Sequence, residues 1–369
     1  MPDRPLRVLH VPAVVGGHAI GLARAERELG LDSRVVAFDP PPFSYVPDEV
    51  LFSGAGPCRR ELRRWSFLRR ALRDADVVHF NFGSTILPRY WPSAHRGIRR
   101  PYGGYARLVE GFDLRVLRRA GKGIVVTFQG DDARQEVGLR RRVPDEHGKW
   151  IADYYNARDD ARKREAIARF DRHAHTLFSL NPDLLDVLPA RAQLLPYASV
   201  DPRTVDVPQP ARNDPPLVVN VPTDRRVKGT EYVVRAAASI GAELRLVEGV
   251  SHADALRAIE RADVVVDQLL TGWYGAVAVE ALARARPVIA HLHAPDLARL
   301  PATMRAELPV LDATPDTLAD VLRNALADDR DELGRRGRAF AERWHNPLKI
   351  AERTRDAYER SVAITSTST

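Results

Sequence analysis

Short apolar runs alternate with longer amphipathic stretches along most of the sequence. In the first half, amphipathic segments separate strands that the pattern predicts at 6–11, 33–38, 77–80, 124–128 and 176–180. Buried strands that alternate with helices are typical of a parallel sheet covered by helices on both faces. The alternation therefore predicts an α/β fold whose first half is one doubly wound unit.

The same alternation begins again after a segment at about 197–216, which contains five prolines among polar residues. This composition is typical of a connection between domains. Beyond it the pattern predicts strands at 217–221, 243–247, 263–266 and 287–290, with helices at 230–239, 252–261 and 277–285. The sequence therefore predicts two Rossmann-like domains, at 1–200 and 201–344.

Two segments lie outside this alternation. A helical insert at about 149–170 carries several aromatic residues among many charges and has no strand partner of its own. After Asn346-Pro347, an amphipathic helix is predicted at about 348–362, and we expect the Ser/Thr-rich tail beyond it to be disordered.

Composition restricts the class of protein. The 369 residues are enough for about two domains, and 44% hydrophobic with 28% charged residues is the balance of a globular protein in water. No apolar run approaches the roughly 20 residues that span a bilayer, and no secretory signal is evident, so we expect a cytoplasmic protein. Cys58 is the single cysteine, which leaves no intramolecular disulfide or thiolate metal site.

The formal net charge of +7 favours phosphorylated ligands, anionic lipid headgroups or nucleic acid. The 56 basic residues include only five lysines, a bias toward arginine that genome base composition can produce. No nucleic-acid-binding signature is present, so we expect no nucleic-acid partner. The arginine-rich stretch 59–73 suits either an anionic membrane surface or packing on a sheet, and both alternatives stay open.

A basic segment, 222–230, follows a predicted strand and opens a predicted helix. At such a position the helix N-terminus offers unpaired N–H groups, and arginine and lysine side chains add mobile cations, so a phosphate is expected there. Lys228 is informative because lysine is scarce in this sequence and because it precedes Gly229 at the helix start. The alternative is a loop of solvated cations.

A second constellation, 272–283, again joins a strand, a glycine-bounded turn and a helix. Glu280 lies one turn into an otherwise apolar helix, where an ionised carboxylate is costly unless it meets a hydrogen-bond donor such as a ligand hydroxyl. The alternative is a glutamate on the helix surface, although the neighbouring residues leave little polar face for it.

Three turns in the first half are weaker candidates. Gly16-Gly17 after the first strand permits close approach of a ligand to the backbone, or is simply a tight turn. The spacing of these glycines is not the dinucleotide fingerprint, although Asp39 stands where that fingerprint has its ribose acid. The segments 79–83 and 127–134 place polar groups at strand ends, where capping and surface ion pairs are equally good explanations.

Taken in order, several of these residues resemble one enzyme family. The segments 228–230, 263–268, 272–275, 278–283 and 286–289 are similar to the donor domain of two-domain GT-B glycosyltransferases of the retaining family 4 group. The segments 77–83 and 126–134 look like the acceptor domain of the same group. The resemblance implies GT-B architecture, in which two Rossmann-like domains face a central cleft and a closing helix within 345–369 returns toward the N-terminal domain.

The resemblance also implies roles for single residues. A nucleotide sugar would lie in the cleft, with Lys228 and Arg225 or Arg226 on its diphosphate and Glu280 on the ribose. The expected catalytic residues are Arg225, Lys228 and Glu280. The expected donor-binding residues are Gly16, Gly17, Arg226, Gly229, Asp267, Tyr274, Gly275, Ala276 and Glu280. The expected acceptor-side residues are His79, Asn81, Gln129, Asp131, Asp132 and Arg134.

In this family the sugar is transferred to a hydroxyl acceptor with retention, and the leaving phosphate takes the acceptor's proton. Fixed cations and helix-end N–H groups stabilise the departing diphosphate, so no metal ion or other cofactor is expected. The expected acceptor is a sugar, a lipid-linked sugar or a natural product, and the sequence does not distinguish these classes. It does not identify the base or the sugar of the donor either.

The sequence departs from the family pattern at two positions. Gly272 stands where relatives often have a glutamate that contacts the transferred sugar, and Gln129 stands where many have a histidine. A glutamine forms hydrogen bonds but does not carry a proton. Two alternatives therefore stay open, a catalytically silent relative that binds a nucleotide sugar or a partner protein, and a sugar-nucleotide epimerase. A nicotinamide-dependent dehydrogenase fits least well, because the stronger phosphate site is in the second unit.

Overall fold

The computed structural model describes residues 4–89 and 100–366. Its N-terminal strands are β1 (Arg7–Val11), β2 (Asp32–Ala37), β3 (Glu49–Val50), β4 (Val77–Asn81), β5 (Gly123–Phe128), β6 (Thr176–Ser179) and β7 (Gln193–Leu194). Within the described ranges they pair in parallel in the order β3-β2-β1-β4-β5-β6-β7. This is the strand order of a Rossmann-like sheet.

Helices cover both faces of this sheet. They are α1 (His18–Glu28), α2 (Pro57–Asp74), α3 (Arg100–Val109), α4 (Phe112–Arg119), α5 (Glu136–Arg140), α6 (Ile151–Tyr154) and α7 (Ala157–His173). Every residue of β4 and β5 is buried, which explains why these central strands are apolar almost throughout instead of alternating.

The C-terminal domain repeats the architecture. Its strands are β8 (Leu217–Asn220), β9 (Glu243–Leu246), β10 (Val264–Val266), β11 (Val288–Ala290) and β12 (Leu311–Asp312). They pair in parallel in the order β12-β11-β10-β8-β9. Its helices are α8 (Arg225–Lys228), α9 (Thr230–Ser239), α10 (His252–Arg261), α11 (Ala276–Ala283), α12 (Ala294–Leu297), α13 (Ala302–Glu307), α14 (Leu318–Ala327) and α15 (Arg330–Trp344).

The last helix, α16 (Pro347–Ser366), follows the second domain but packs against α1 and β5 of the first. A buried carboxylate fastens it there. Glu26 on α1 accepts hydrogen bonds from the hydroxyls of Thr354 at 2.9 Å and Tyr358 at 2.7 Å, both on α16. Charge-assisted hydrogen bonds of this kind are stronger than neutral ones, so α16 ties the C-terminal end of the chain to the N-terminal domain.

The two domains also share an apolar core. One continuous cluster of buried residues includes Leu22 of the first domain, Tyr197 of the connecting segment and Tyr274 of the second domain. A smaller cluster joins Leu139 and Trp150, in the segment between β5 and α7, to Leu270 of the second domain. The cleft between the domains is therefore closed by side-chain packing at these places.

The prediction of an α/β fold with two Rossmann-like sheets is confirmed, and the strand positions agree within a residue or two. Two details differ. α7 leads directly into β6 as an ordinary crossover helix, so the extra segment is 129–156 with its short helices α5 and α6. The C-terminal helix runs to Ser366, so part of the expected disordered tail is helical, and 367–369 lie outside the described residues. No helix within 4–89 and 100–366 combines the length and the apolar character needed to span a bilayer.

Candidate functional site

Two helix N-termini meet at the interface between the domains. α1 begins after Gly17 and α11 begins after Gly275, and neither has a side-chain cap or an acidic residue in its first turn. A Cβ built on Gly16 would lie 3.3 Å from the Cβ of Ala276, so the two turns are in contact. Each N-terminus presents N–H groups without helical partners and a partial positive charge, and together they form an electropositive site for an anion.

Lys228 brings an ammonium group to this site, where it is paired with the carboxylate of Asp267. Its Nζ donates a hydrogen bond to Oδ1 of Asp267 at 2.7 Å, and the lysine side chain is nearly buried. The other carboxylate oxygen, Oδ2, accepts the backbone N–H of Gly275 at 2.5 Å. A Cβ at Gly275 would lie 3.5 Å from Nζ, so the ammonium group lies directly beside the start of α11.

Local backbone geometry explains how Lys228 reaches this position. Asp224 caps the four-residue helix α8 by accepting the N–H groups of Arg226 and Val227. Gly229 then ends the helix in the left-handed conformation, with φ of +73°. A side chain at 229 would meet Leu269 and other neighbours at 3.3 Å, so this turn requires glycine, and it directs the last residue of α8 inward.

The two predicted arginines point elsewhere. The Arg225 guanidinium binds the carboxylate of Glu248, with Nε at 2.9 Å, and Arg226 binds Asp224 at 2.9 Å. About half of each arginine side chain is exposed. The structure therefore does not bring Arg225 or Arg226 together with Lys228. At the start of α9, where the sequence predicts the phosphate, no side chain caps the helix, and the Thr230 hydroxyl donates to Asn220 at 2.9 Å.

Glu280 is buried, as its apolar helix suggests, but a protein group satisfies it. Nε2 of His252, the first residue of α10, lies 2.7 Å from Oε1 of Glu280. The ring of Tyr45, from the loop after β2, packs against His252 with 4.7 Å between ring centroids and 38° between the ring planes. Burial, together with the nearby Glu280 carboxylate, raises the pKa of the Tyr45 hydroxyl. A residue of the first domain thus covers the carboxylate that we expected to hold a ribose.

On the N-terminal side, Asn81, Gln129 and Asp132 form a buried polar group at the ends of β4 and β5. Gln129 donates from Nε2 to Asn81 Oδ1 at 3.2 Å, and its own Oε1 is buried without a hydrogen bond from the described residues. The Asp132 carboxylate accepts the backbone N–H groups of Gln129 at 3.0 Å and Gly130 at 2.7 Å. Burial nevertheless raises the pKa of Asp132 to about 6.

Asp131 and Arg134 anchor the segment between β5 and α7. Asp131 accepts hydrogen bonds from the hydroxyls of Tyr154, at 2.8 Å, and Tyr155, while Arg134 pairs with both Asp131 and Asp183. Burial opposes ionisation of Asp131, but the charge of Arg134 and the two hydroxyl donors leave its pKa lowered. These contacts give both residues a structural role.

The predicted acceptor contact of His79 is not supported by its position. His79 is fully buried in β4 beneath α16, with Nδ1 2.6 Å from the Tyr358 hydroxyl and Nε2 2.7 Å from the Thr127 hydroxyl. Burial lowers its pKa well below the usual value, so the ring is neutral. His10, Glu26 and His79 are close enough to hold a metal ion, but the Glu26 carboxylate oxygens already accept hydrogen bonds from Ser33, Thr354 and Tyr358.

Gly272 departs from the family pattern for a steric reason. Its φ is +81°, and a Cβ there would lie 2.7 Å from the Cβ of His293. A glutamate at this position would therefore need both strained backbone and displacement of His293. Tyr274, another predicted donor residue, is fully buried and its hydroxyl lies 3.0 Å from Nε2 of His345.

Sequence reasoning missed the contacts that cross between domains. Arg142 pairs with Asp186 of its own domain and with buried Asp296 of the second domain, and it lies 3.1 Å from His293 Nδ1. The contacts of Arg142 have no local sequence signal, because the partners are far apart in the chain. The same holds for the pairing of His252 with Glu280 within the second domain.

Several solved structures share this architecture. Sucrose-phosphate synthase from Thermosynechococcus elongatus aligns over 98% of this chain and 100% of its own, with a TM-score of 0.61 and 17% identity. Anabaena HepE in complex with UDP and glucose aligns over 96% and 100%, with a TM-score of 0.58 and 12% identity. The catalytic domain of Arabidopsis thaliana starch synthase IV, bound to ADP and acarbose, aligns over 98% and 100%, with a TM-score of 0.58 and 12% identity.

The chain has the GT-B fold. At these identities the likeness concerns the fold, because one fold supports many activities. No protein-family model and no curated protein matches the sequence. In a GT-B fold the two domains face a cleft, and here Gly16 and Ala276 mark the place where the cleft-facing turns touch.

Proposed function

We propose that the protein is a glycosyltransferase that moves a sugar from a nucleoside-diphosphate sugar to a hydroxyl group of an acceptor. The observation that carries the proposal is the meeting of two uncapped helix N-termini beside Lys228. Such a site suits a ligand with two adjacent negative groups, and a diphosphate between two domains has that character.

The fold supports a donor of this class. The Anabaena HepE structures that resemble this chain contain UDP or UDP-glucose, and the starch synthase structure contains ADP. In this chain the Gly16-Gly17 turn, the first turn of α11 and Lys228 are the groups that would bind the diphosphate. The positive φ of both glycines allows the backbone N–H groups to approach a phosphate without an intervening side chain.

In the transfer step, the bond between the anomeric carbon and the diphosphate oxygen breaks as the acceptor oxygen bonds to that carbon. Negative charge grows on the departing diphosphate, and Lys228 with the two helix N-termini stabilises it more in the transition state than in the ground state. We propose that an oxygen of the departing diphosphate takes the acceptor's proton and that the configuration is retained, as the resemblance to family 4 implies.

Asp267 prepares Lys228 for this role. Without ligand, the carboxylate neutralises the buried ammonium and holds it 2.7 Å away beside the first turn of α11. The ammonium is thus positioned before the diphosphate arrives, which avoids the cost of ordering a flexible lysine during the reaction. We propose that these fixed charges replace a divalent metal ion.

Glu280 is proposed to bind the ribose. To do so, its carboxylate must accept hydrogen bonds from the ribose hydroxyls either in addition to His252 or in its place. A carboxylate that accepts from a hydroxyl pair is a common way to bind ribose in Rossmann-like domains. The Tyr45 ring packs against His252, so binding of a nucleoside next to Glu280 would displace the Tyr45 ring.

The experiment that tests the proposal measures release of nucleoside diphosphate from a panel of UDP-, ADP- and GDP-sugars by wild-type protein and by Lys228→Met. Lys349→Met, on the exposed side of α16, is the matched control. We expect turnover with at least one donor, lost in Lys228→Met and kept in Lys349→Met. Binding of donors without turnover in the presence of any acceptor would favour the silent relative instead.

A further inference from the structure

A cavity of about 480 Å³ lies in the N-terminal domain at the carboxyl ends of β1, β2 and β4. Three loops form its walls: 12–15 after β1, 38–42 after β2 and 82–88 after β4. β1 and β4 are neighbours in the sheet, and their following connections diverge, so the cavity occupies the point where the strand order reverses. This is the position at which doubly wound sheets bind ligands, and the volume suits a small molecule.

Slightly more than half of the wall surface is apolar. Five of the lining residues are prolines, which have no backbone N–H to donate, namely Pro12, Pro40, Pro41, Pro42 and Pro88. Val14, Phe38 and Leu87 contribute buried side chains, and the rings of Phe82 and Tyr102 also line the space. Flat proline and aromatic faces bind ring systems well.

Most of the polar lining side chains already have partners in the protein. Asp39 pairs with Arg60 at 3.0 Å, and the Thr85 hydroxyl donates to the Leu87 carbonyl at 3.3 Å. The Tyr102 hydroxyl donates to Glu61 at 2.7 Å. The hydroxyls of Thr85 and Tyr102 therefore already donate within the protein, while the exposed Asp39 carboxylate can accept further hydrogen bonds.

The two lining arginines also have partners, although Nε of Arg64 is buried without a hydrogen bond from the described residues. Arg64 donates to the Ile86 carbonyl at 2.8 Å and stacks on Phe52, and Arg89 donates to the Arg162 carbonyl. Among the described residues, Ser84 is the lining residue whose hydroxyl has no hydrogen bond within the protein. A saccharide would bring many hydroxyls into this space, where the five prolines of the walls offer them no backbone N–H.

The backbone of two of these loops is held in an unusual conformation. Phe82, Phe43 and Ser44 all have φ close to +60°, which is rare for residues other than glycine. Phe82 lines the cavity, and Phe43 and Ser44 directly follow the wall segment 38–42. Strain of this kind persists where the surrounding structure maintains it, and it concentrates at ligand sites.

One wall of the cavity, loop 12–15, leads directly into the proposed transfer site. Loop 12–15 forms one wall, and the next residues are the Gly16-Gly17 turn, which contacts Ala276 at the start of α11. On the other side, Asp132 lies next to Gly83, with 3.3 Å from its Oδ2 to a Cβ built there. A molecule in the cavity therefore lies close to the groups that would hold the diphosphate.

We infer that this cavity binds the acceptor, and that the acceptor is a largely apolar ring compound with a hydroxyl group rather than an oligosaccharide. The inference rests on the proposed function for the transfer itself. The acceptor oxygen bonds to the anomeric carbon, the bond from that carbon to the diphosphate breaks, and the acceptor proton passes to a diphosphate oxygen. Ser84 supplies a hydrogen bond to the acceptor, and the prolines and aromatic rings bind its apolar body.

The test uses 4-methylumbelliferone, a fluorescent hydroxylated ring compound, titrated into the full-length protein, with maltose as the saccharide probe. Ala13→Trp fills the cavity, and Ile364→Trp on exposed α16 is the matched control. Ser84→Phe is a second blocking variant in case Ala13→Trp does not fold. We expect saturable binding of the fluorophore, at least tenfold weaker in either blocking variant, unchanged in Ile364→Trp, and not displaced by maltose.

The inference is overturned if the fluorophore does not bind, if both blocking variants bind it as tightly as wild type, or if maltose displaces it. Titration of the same preparations with UDP and ADP separates this failure from that of the proposed function. Nucleotide binding without fluorophore binding contradicts the acceptor inference alone. Fluorophore binding without any nucleotide binding contradicts the proposed glycosyl transfer and leaves the cavity assignment intact.

Discussion

Gly16 and Ala276 belong to different domains, yet a Cβ on Gly16 would lie 3.3 Å from the Cβ of Ala276. The contact brings the N-terminus of α1 to the N-terminus of α11. Asp267 accepts the N–H of Gly275, and the N–H of His18 donates to the Val15 carbonyl, but no side chain caps the first turn of either helix. The remaining N–H groups of both first turns are available to a ligand. The proposed diphosphate site depends on this close approach of two backbones.

The first prediction concerns Gly16→Ala. The added methyl group crowds Ala276 and strains a backbone with φ of +56°, so the two turns must separate. We expect nucleoside-diphosphate affinity to fall about tenfold, roughly 1.4 kcal/mol. Gly30→Ala is the control, because its φ is +86° but no atom lies within 4 Å of the new Cβ. Equal nucleotide affinity in the two variants, measured by calorimetric titration, would contradict this role of Gly16.

The second prediction concerns Asp267→Asn. The substitution removes the charge that holds the Lys228 ammonium 2.7 Å away and keeps a similar shape. We expect kcat to fall because the activation free energy rises by ~1–3 kcal/mol when the ammonium loses its fixed position. Nucleotide affinity should change less. Steady-state kinetics give the two parameters separately. A fall in nucleotide affinity with unchanged kcat would show that Asp267 does not act through positioning.

The third prediction concerns Glu280→Gln. If Glu280 binds the ribose, the variant should lose affinity for a nucleoside diphosphate but not for its 2′,3′-dideoxy analogue. The expected loss is about 1.5–3 kcal/mol for the hydrogen bonds to a charged acceptor. Glu231→Gln on exposed α9 is the control. An equal loss for both nucleotides would mean that Glu280 acts through its contact with His252 instead.

The fourth prediction concerns the pH dependence of stability. Burial raises the pKa of Asp132 to about 6, above its unfolded value near 4. Its contribution to stability is therefore fully present below about pH 4 and is lost as pH rises through 6. This change is on the order of 1–3 kcal/mol. We expect the difference in urea-unfolding free energy between wild type and Asp132→Asn to vary over this range and to level off above it; a constant difference would contradict the assignment.

The fifth prediction concerns metal ions. Because Lys228 and two helix N-termini supply the positive charge, we expect activity to survive extensive treatment with EDTA. Added Mg²⁺ or Mn²⁺ should change the rate by less than about twofold. Loss of activity on chelation, with recovery on addition of one divalent ion, would refute the proposal that fixed protein charges stabilise the leaving group.

Much of the fold was predictable because its signal is local. The apolar runs that became β1, β4, β5 and β8 are short and bounded by turn residues, and periodicity identifies such segments well. Lys228, Gly275 and Glu280 could also be selected as candidate site residues, since each is chemically unusual in its own segment. A lone lysine before a glycine, or a glutamate in an apolar helix, can be recognised from its own segment without knowledge of its partner.

What could not be predicted depends on side-chain direction and on contacts between distant segments. The sequence shows the cations of 222–230 but not the short helix α8, which directs Lys228 inward and leaves Arg225 and Arg226 outside. His79 follows a strand pattern that does not reveal α16 above it. The pair of His252 and Glu280 forms only when α10 and α11 pack together within the second domain, and Tyr45 reaches it from the first domain.

The most direct test is a crystal structure of the protein with the nucleoside diphosphate that binds most tightly. The account predicts that the diphosphate lies between the start of α1 and the start of α11, in hydrogen-bond contact with the backbone at Gly16-Gly17 and at Ala276 and with Nζ of Lys228. A diphosphate bound instead by Arg225 and Arg226 at the protein surface, with Lys228 still paired only to Asp267, would contradict it.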